Sequence, residues 1–197
     1  SYVRRGIHCN VGLHYLGALD KGQVLRRLFD YLGITEKLPL KRMGVDGPVD
    51  RYYFTNADVG PRQFDVPIGL DAYEARLKEA FPKEQGPING FIALLRQSAG
   101  GLDRLDFLFK NQSAADLIDQ TEPLWEVLGR LGCSPGLKGV LSVPSVWIGV
   151  PPPLCPQFYH TITLASYLFS AWRLESNGAH LAKVLVQGLT DLGGRVL

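Results

Sequence analysis

Hydrophobic positions recur along this chain at two spacings, and the switches between them divide it into segments. Over residues 3–17 apolar side chains alternate loosely, with Val11, Leu13 and Tyr15 beside the glycines Gly12 and Gly17. That is the pattern of a strand lying close to another backbone. Asp20-Lys21-Gly22-Gln23 then offers a capping box, and Leu25, Leu28, Phe29 and Leu32 form a helical stripe that Gly33 ends. Between 38 and 67 the chain reads as short extended pieces, 41–45, 50–54 and 63–66. Asp46-Gly47-Pro48 and the turn-rich 56–61 separate them, which predicts an antiparallel meander.

From Leu70 the helical period returns. Leu70, Tyr73, Leu77 and Phe81 share a face, Arg76, Lys78 and Glu79 lie outside it, and Pro82 stops the helix. Ile88, Phe91, Ile92 and Leu95 line a second helix over 87–98, with Pro87 in its first turn and Gly100-Gly101 behind it. Ser113-Ala114-Ala115-Asp116 reads as a further helix start, and Pro123 opens a helix over 124–131 that Gly132 closes. Residues 136–150 are apolar and rich in Val and Gly, Pro151-Pro152-Pro153 predicts a polyproline-like kink, and 158–169 suits a buried helix. The clearest stripe comes last. Leu181, Val184, Leu185, Leu189 and Leu192 face one way, and Lys183, Gln187 and Asp191 the other, as in a surface helix packed on a core. Ser176 or Asn177 caps it, Gly193-Gly194 ends it, and Arg195-Val196-Leu197 reads as the beginning of a strand. A strand begun at the last residue predicts a piece of something longer. Strands early and helices late predict an α+β fold, a small, mostly antiparallel or mixed sheet covered by a helical layer.

Composition narrows the picture little. A chain of 197 residues suits one large domain, able to bury roughly 70% of its unfolded surface. Its 46% hydrophobic and 20% charged residues are ordinary for a globular protein, and a net charge of +2 with no Lys/Arg run gives no electrostatic case for nucleic acid. Cys9, Cys133 and Cys155 are too few and too scattered for a disulfide framework and suggest a reducing compartment. With no signal pattern and no apolar run near a membrane span, a soluble protein is expected.

The catalytic signatures are missing. No dinucleotide or P-loop glycine pattern, nucleophile elbow or metal-binding spacing occurs. His8, Cys9 and His14 are neighbours, yet on a strand Cys9 points away from the two histidines, so no metal is expected. His160 opens an apolar helix and reads as a core histidine. Trp125, Trp147 and Trp172 read as core or pocket wall, and Asp103, Asp106, Glu74 and Glu79 as parts of solvated helix faces. A hydrolase using Ser142 or Ser166 with His160 has no triad spacing behind it.

Four stretches taken together resemble the phytoene desaturase, carotenoid isomerase and retinol saturase group of FAD-dependent oxidoreductases, within the amine-oxidase-type flavoprotein superfamily. They are CNVGLHYLGAL with Gly12, His14, Tyr15 and Gly17; FDVPIGLDAYEARLKEAFP over 64–82; NQSAADLIDQ; and GVPPP with the following helix and AWRLESNGAHLAKVLVQGLTDLGGRV. In order and spacing they resemble the middle of those proteins, their substrate domain. The resemblance implies a two-domain flavoprotein. Residues 1–175 would be the substrate-binding domain, and 176–197 a helix and strand start returning to a flavin-binding domain that is absent from this sequence.

It implies FAD as cofactor of the intact parent and hydride transfer between flavin and a hydrophobic, polyene-like substrate. His14, Tyr15, Ser176, Asn177 and Gly178 are its cofactor-binding positions, and Trp172 and Arg173 its substrate-binding ones. No catalytic residue follows from it. The family's glycine pair falls on Ser176 and Asn177, with Gly178 beside them and the family's preceding proline replaced by Leu174. Asn tolerates positive φ, so that turn is expected to survive. The pyrophosphate fingerprint lies outside the sequence, so the isolated chain is expected to be inactive. The expected partners are a hydrophobic small molecule and the parent's flavin-binding segments. A cytoplasmic location is expected, with peripheral membrane contact as the route of substrate access. The alternative is a non-catalytic module binding a hydrophobic ligand or a partner.

Overall fold

A computed structural model of the chain describes residues 2–9, 15–56, 60–100 and 122–196. The fold is α+β, with small antiparallel sheets carrying a helical layer. β1 (Tyr2–Arg4) and β2 (Ile7–Cys9) form a hairpin, turned by Arg5 at φ 52° and Gly6 at φ 77°. Positive φ at both central residues matches the right-handed twist of the flanking strands. Where the single strand was expected over 3–17, the described residues form this hairpin and a separate short strand, β3 (Leu16–Gly17), and residues 10–14 lie outside them.

After β3 comes α1 (Val24–Tyr31), preceded by a turn in which the Gln23 side chain accepts the Asp20 amide at 2.8 Å. Only half of the expected capping box forms, ahead of the helix, because the Gln23 amide goes to the Asp20 carbonyl and not to its carboxylate. β4 (Leu40–Arg42), β5 (Asp50–Tyr53) and β6 (Gln63–Val66) follow. β5 and β6 pair antiparallel, Tyr52 opposite Phe64. β4 does not join them. It pairs with β7 (Ala171–Leu174), which lies between β3 and β4 as the middle strand of a three-stranded sheet. The expected meander is thus a hairpin and a displaced strand.

Among the described residues the helical layer comprises α2 (Leu70–Ala80), α3 (Gln85–Ala99), α4 (Leu124–Arg130), α5 (Pro135–Ser142), α6 (Ser145–Ile148) and α7 (Gln157–Phe169). Residues 136–150 are thus mainly helix. Ser134 Oγ caps α5 by accepting the Leu137 amide at 3.2 Å, and Pro135 occupies the first helical position, where its missing N–H costs nothing. Pro151 starts a compact turn, its carbonyl accepting from Leu154 and Cys155, in place of the polyproline kink.

Two cores result. The larger joins β5, β6 and the helical layer through Phe64, Tyr73, Leu77, Ile88, Phe91, Leu95, Leu124, Leu128, Leu137, Leu141 and Leu164. Burying each such side chain contributes about 1.5–3 kcal/mol. The smaller core, Leu16, Leu19, Phe29, Ile34 and Leu38, lies on one face of the three-stranded sheet, with Trp172 and Leu174 of β7 against it.

α8 (Gly178–Asp191) closes this smaller core through Leu181 and Val184, and His180 Nε2 lies 3.0 Å from the Lys37 carbonyl. Only the front of its apolar stripe is used. None of its residues is fully buried, and Leu185, Leu189 and Leu192 stay exposed, Leu192 at 88%. Gly193 takes φ 83° and the Gly194 amide reaches back to Leu189, the stop expected of the Gly-Gly pair. Residues 195 and 196 form no strand.

Candidate functional site

Alternation along β7 separates two residues that sequence placed together. Trp172 points into the smaller core, and its Nε1 donates to Asp20 Oδ1 at 2.9 Å. Arg42 Nη2 donates to the other oxygen of Asp20 at 2.6 Å. Ser170 Oγ accepts from the amides of Leu19 and Asp20, at 2.9 and 3.1 Å, and donates to Gln23 Oε1 at 2.6 Å. Trp172 is thus locked in a polar clamp joining the 17–20 turn to the end of α7. Gly17 passes so close to Ser166 that a Cβ there would meet its backbone at 2.8–2.9 Å. The close backbone approach expected of this glycine is real.

Arg173 projects from the opposite face and is exposed. Continuing the β3–β7 register by one residue puts Tyr15 across from it. Tyr15 is half-buried, with its ring edge-to-face against Tyr167 of α7 at 6.0 Å between centroids, and Tyr167 meets Trp147 of α6 at 5.1 Å. Burial first, then the nearby Asp50 carboxylate, pushes the Tyr15 phenol above its ordinary pKa, while Arg173 pulls it down. Tyr52 is pushed up chiefly by burial, with Tyr73, Asp50 and Tyr15 adding to it, and Tyr167 by burial and by Tyr15. These phenols stay protonated at neutral pH. The rings of Tyr15, Tyr167 and Trp147 therefore meet edge to face, with the charges of Arg173 and Asp50 acting on the first of them, an apolar wall with a polar margin.

The other predicted positions lie at the head of α8. Ser176, Asn177, His180 and Lys183 line, with Tyr2 and Val3, a shallow concavity of about 400 Å³. Asn177 sits at φ −113° as an ordinary N-cap, its side-chain oxygen accepting the His180 amide at 3.2 Å, and Gly178 is the first helical residue. The positive-φ turn expected here does not form, because capping a helix requires extended backbone. Ser176 Oγ is buried without a hydrogen-bond partner among the described residues. A polar atom of a flavin nucleotide would satisfy it, and the helix start favours an oxyanion. The fit extends no further, since the Asn177 oxygen is already used. No hydrogen bond or ring contact joins this concavity to Tyr15 among the described residues. His14 lies outside them, as do Asp103, Asp106, Gly12 and the NQSAADLIDQ stretch.

His160 is a core histidine, fully buried beside Phe91, and neither ring nitrogen is hydrogen-bonded among the described residues. Ser142 Oγ donates to the Lys138 carbonyl at 2.6 Å and Ser166 Oγ to that of Thr163 at 2.7 Å, so no triad exists with either. Glu74 pairs with Lys78 and Arg96, and Glu79 with Arg76, on solvated helix faces as expected. No cluster of three metal-ligating side chains occurs among the described residues. Sequence reasoning missed Tyr167 and Tyr52. Nothing local links them to Tyr15, although Trp147, read as core or pocket wall, does pack against the larger core and Tyr167.

Comparison with known proteins bears out the resemblance read from the motifs. The chain is similar over its whole length to all-trans-retinol 13,14-reductases. It is 26% identical over 212 residues to those of Macaca fascicularis and Rattus norvegicus, and 25% identical over 218 residues to that of Homo sapiens. In each case all of this chain is covered and 34% of the relative, so the chain spans about a third of the length of the curated relatives it matches. No family model matches the chain, and no solved structure does. The chain is thus like part of an oxidoreductase of the desaturase and saturase type.

Proposed function

We propose that this chain is the substrate-binding portion of an FAD-dependent oxidoreductase that reduces or desaturates a hydrophobic, polyene-like molecule. The carrying observation is the similarity to retinol 13,14-reductases along its entire length. The aromatic wall of Tyr15, Tyr167 and Trp147 supports it, because a polyene needs flat apolar surface and exclusion of water more than acid–base groups. FAD, when bound, supplies the hydride chemistry. This chain's part is to hold the polyene against the wall, keep water from it, and offer Ser176 Oγ to a polar atom of the cofactor. In this reading 1–175 form the substrate domain and 176–197 lead to the flavin-binding segments.

The test is made on the complete open reading frame that contains this chain. The purified product should carry flavin absorbance through gel filtration. Once reduced anaerobically, that flavin should be reoxidised by all-trans-retinol as the polyene absorbance falls. Bound flavin that retinol leaves reduced would sink the substrate assignment, and a flavin-free product would sink the oxidoreductase reading.

Peripheral membrane contact belongs to the same proposal. Between Lys138 and Arg173 the chain has no Asp, Glu, Lys or Arg, yet Val146, Leu154 and Tyr159 in this stretch are 74%, 71% and 57% exposed. Such an uncharged apolar surface suits lipid, or a partner if the chain is instead a non-catalytic binding module. No helix among the described residues is long and apolar enough to cross a membrane. Leu154→Asp should abolish cosedimentation with phosphatidylcholine vesicles, and a wild-type chain that stays in the supernatant removes membrane contact from the reading.

A further inference from the structure

Beside the aromatic wall, the three-stranded sheet carries two cations side by side. Lys41 of β4 and Arg173 of β7 are register partners, so their side chains leave the same face, and both are exposed. Leu40 and Leu174, the neighbouring partners, point the other way, into the smaller core. Like charges directly opposite each other destabilise a strand pair. Among the described residues neither cation has a carboxylate in ion-pair distance, whereas Arg42, the next residue of β4, is paired with Asp20. Asp50, whose charge acts on the same Tyr15 phenol as that of Arg173, accepts the Arg51 amide through Oδ1 at 2.8 Å and makes no ion pair with Lys41 or Arg173. Across β7 from Lys41, Tyr15 completes a row in the order phenol, guanidinium, ammonium. The Tyr15 ring is the edge of the wall formed by Tyr167 and Trp147.

We infer that the row Tyr15–Arg173–Lys41 seats an oxyanion, the carboxylate of a long-chain apolar ligand whose body lies along Tyr167 and Trp147. The planar guanidinium and the mobile ammonium each donate charge-assisted hydrogen bonds to a carboxylate, and the phenol adds a neutral donor. The open side of the row admits the head group, and the adjoining wall holds the tail. The chemistry sought is therefore an acid, not only the alcohol of the relatives' name. This inference rests on the proposal that the aromatic face binds an apolar molecule.

The experiment titrates the complete reading-frame product, by calorimetry, with oleate below its micelle concentration, with oleyl alcohol, and with inorganic pyrophosphate. Oleate should bind at least about tenfold more tightly than the alcohol, as a charge-assisted contact requires. Lys41→Gln with Arg173→Gln should bring the two ligands level by weakening oleate at least about tenfold. Both side chains are exposed, and an unchanged melting temperature verifies the fold. Added salt should narrow the preference in the wild type only. Equal binding of acid and alcohol to the wild type overturns the oxyanion seat and leaves the apolar-ligand reading intact. Binding of neither overturns both. Pyrophosphate that binds through Arg173 and Lys41, with no preference for oleate over the alcohol, overturns the carboxylate in favour of a phosphate source.

Discussion

His160 offers the sharpest quantitative test of the core. Its imidazole is fully buried, and burial pushes its pKa down from 6.5 to about 4, while the Leu141 backbone pulls weakly the other way without a hydrogen bond of normal geometry. The folded state therefore binds this proton less readily than the unfolded chain. The stability tied to a neutral His160 is fully present above the unfolded pKa and is lost as pH falls from about 6.5 towards 4. Each pKa unit corresponds to about 1.4 kcal/mol, so the full effect is about 3 kcal/mol, of which about 2 kcal/mol is lost between pH 7 and pH 5.

The perturbation is His160→Leu, which removes the titrating ring and fills most of its space with an apolar side chain. Urea unfolding of both proteins at pH 7, 6 and 5 reads the difference, because carboxylate titrations common to both cancel. The wild type should lose about 2 kcal/mol relative to the variant between pH 7 and pH 5. At pH 7 the substitution should cost little beyond repacking, since it also removes two unpaired buried nitrogens. A difference that does not change with pH would refute the reasoning, because it would mean that the ring is solvated or hydrogen-bonded in the folded state.

Three further outcomes follow from the same physics. Gly17→Ala should destabilise by about 1–3 kcal/mol, because its Cβ would press on the Ser166 backbone; an unshifted melting curve would refute that contact. Ser170→Ala leaves the Leu19 amide without its acceptor and the Asp20 amide with Gln23 Oε1 alone, costing about 1–3 kcal/mol; an unshifted melting temperature would refute it. Thiol alkylation at pH 8 followed by mass mapping should label Cys9 and spare Cys133 and Cys155. Both of those are buried, and burial pushes the Cys133 thiol up to about 11 and raises that of Cys155. Labelling of Cys133 in the native protein would contradict its packing.

The helices were legible because their information is local. Leu70, Tyr73 and Leu77 repeat at helical spacing, proline and glycine mark the ends, and α2, α3, α4 and α7 form within a residue or two of expectation. Strand partners were not legible. Lys41 carries no mark saying that its neighbour is Arg173, and Ala171-Trp172-Arg173-Leu174 is too short between two helices for its alternation to stand out. The stripe of α8 was legible but not how much of it would be covered. The site divided along the same line. Tyr15 and Arg173 were chosen by resemblance and do share a face, whereas Trp172, chosen with them, points away because neighbouring strand residues must. Nothing in the sequence could reveal Tyr167 as the ring that joins Tyr15 to Trp147.

The placement of β7 sets an order of events. β5 and β6 are close in sequence and can zip as soon as both exist, but β3 and β4 share a partner that is made long after them, across contacts such as Leu19 to Ser170 that span 151 residues. While the chain grows, two short strand edges therefore wait open beside an exposed apolar patch of Leu16, Leu19 and Phe29. That is the state most prone to pairing with another nascent copy. β7 acts as a late clasp that hides both edges in one step. Slow translation or truncation just before Ala171 should cost this protein more in aggregation than a similar loss elsewhere.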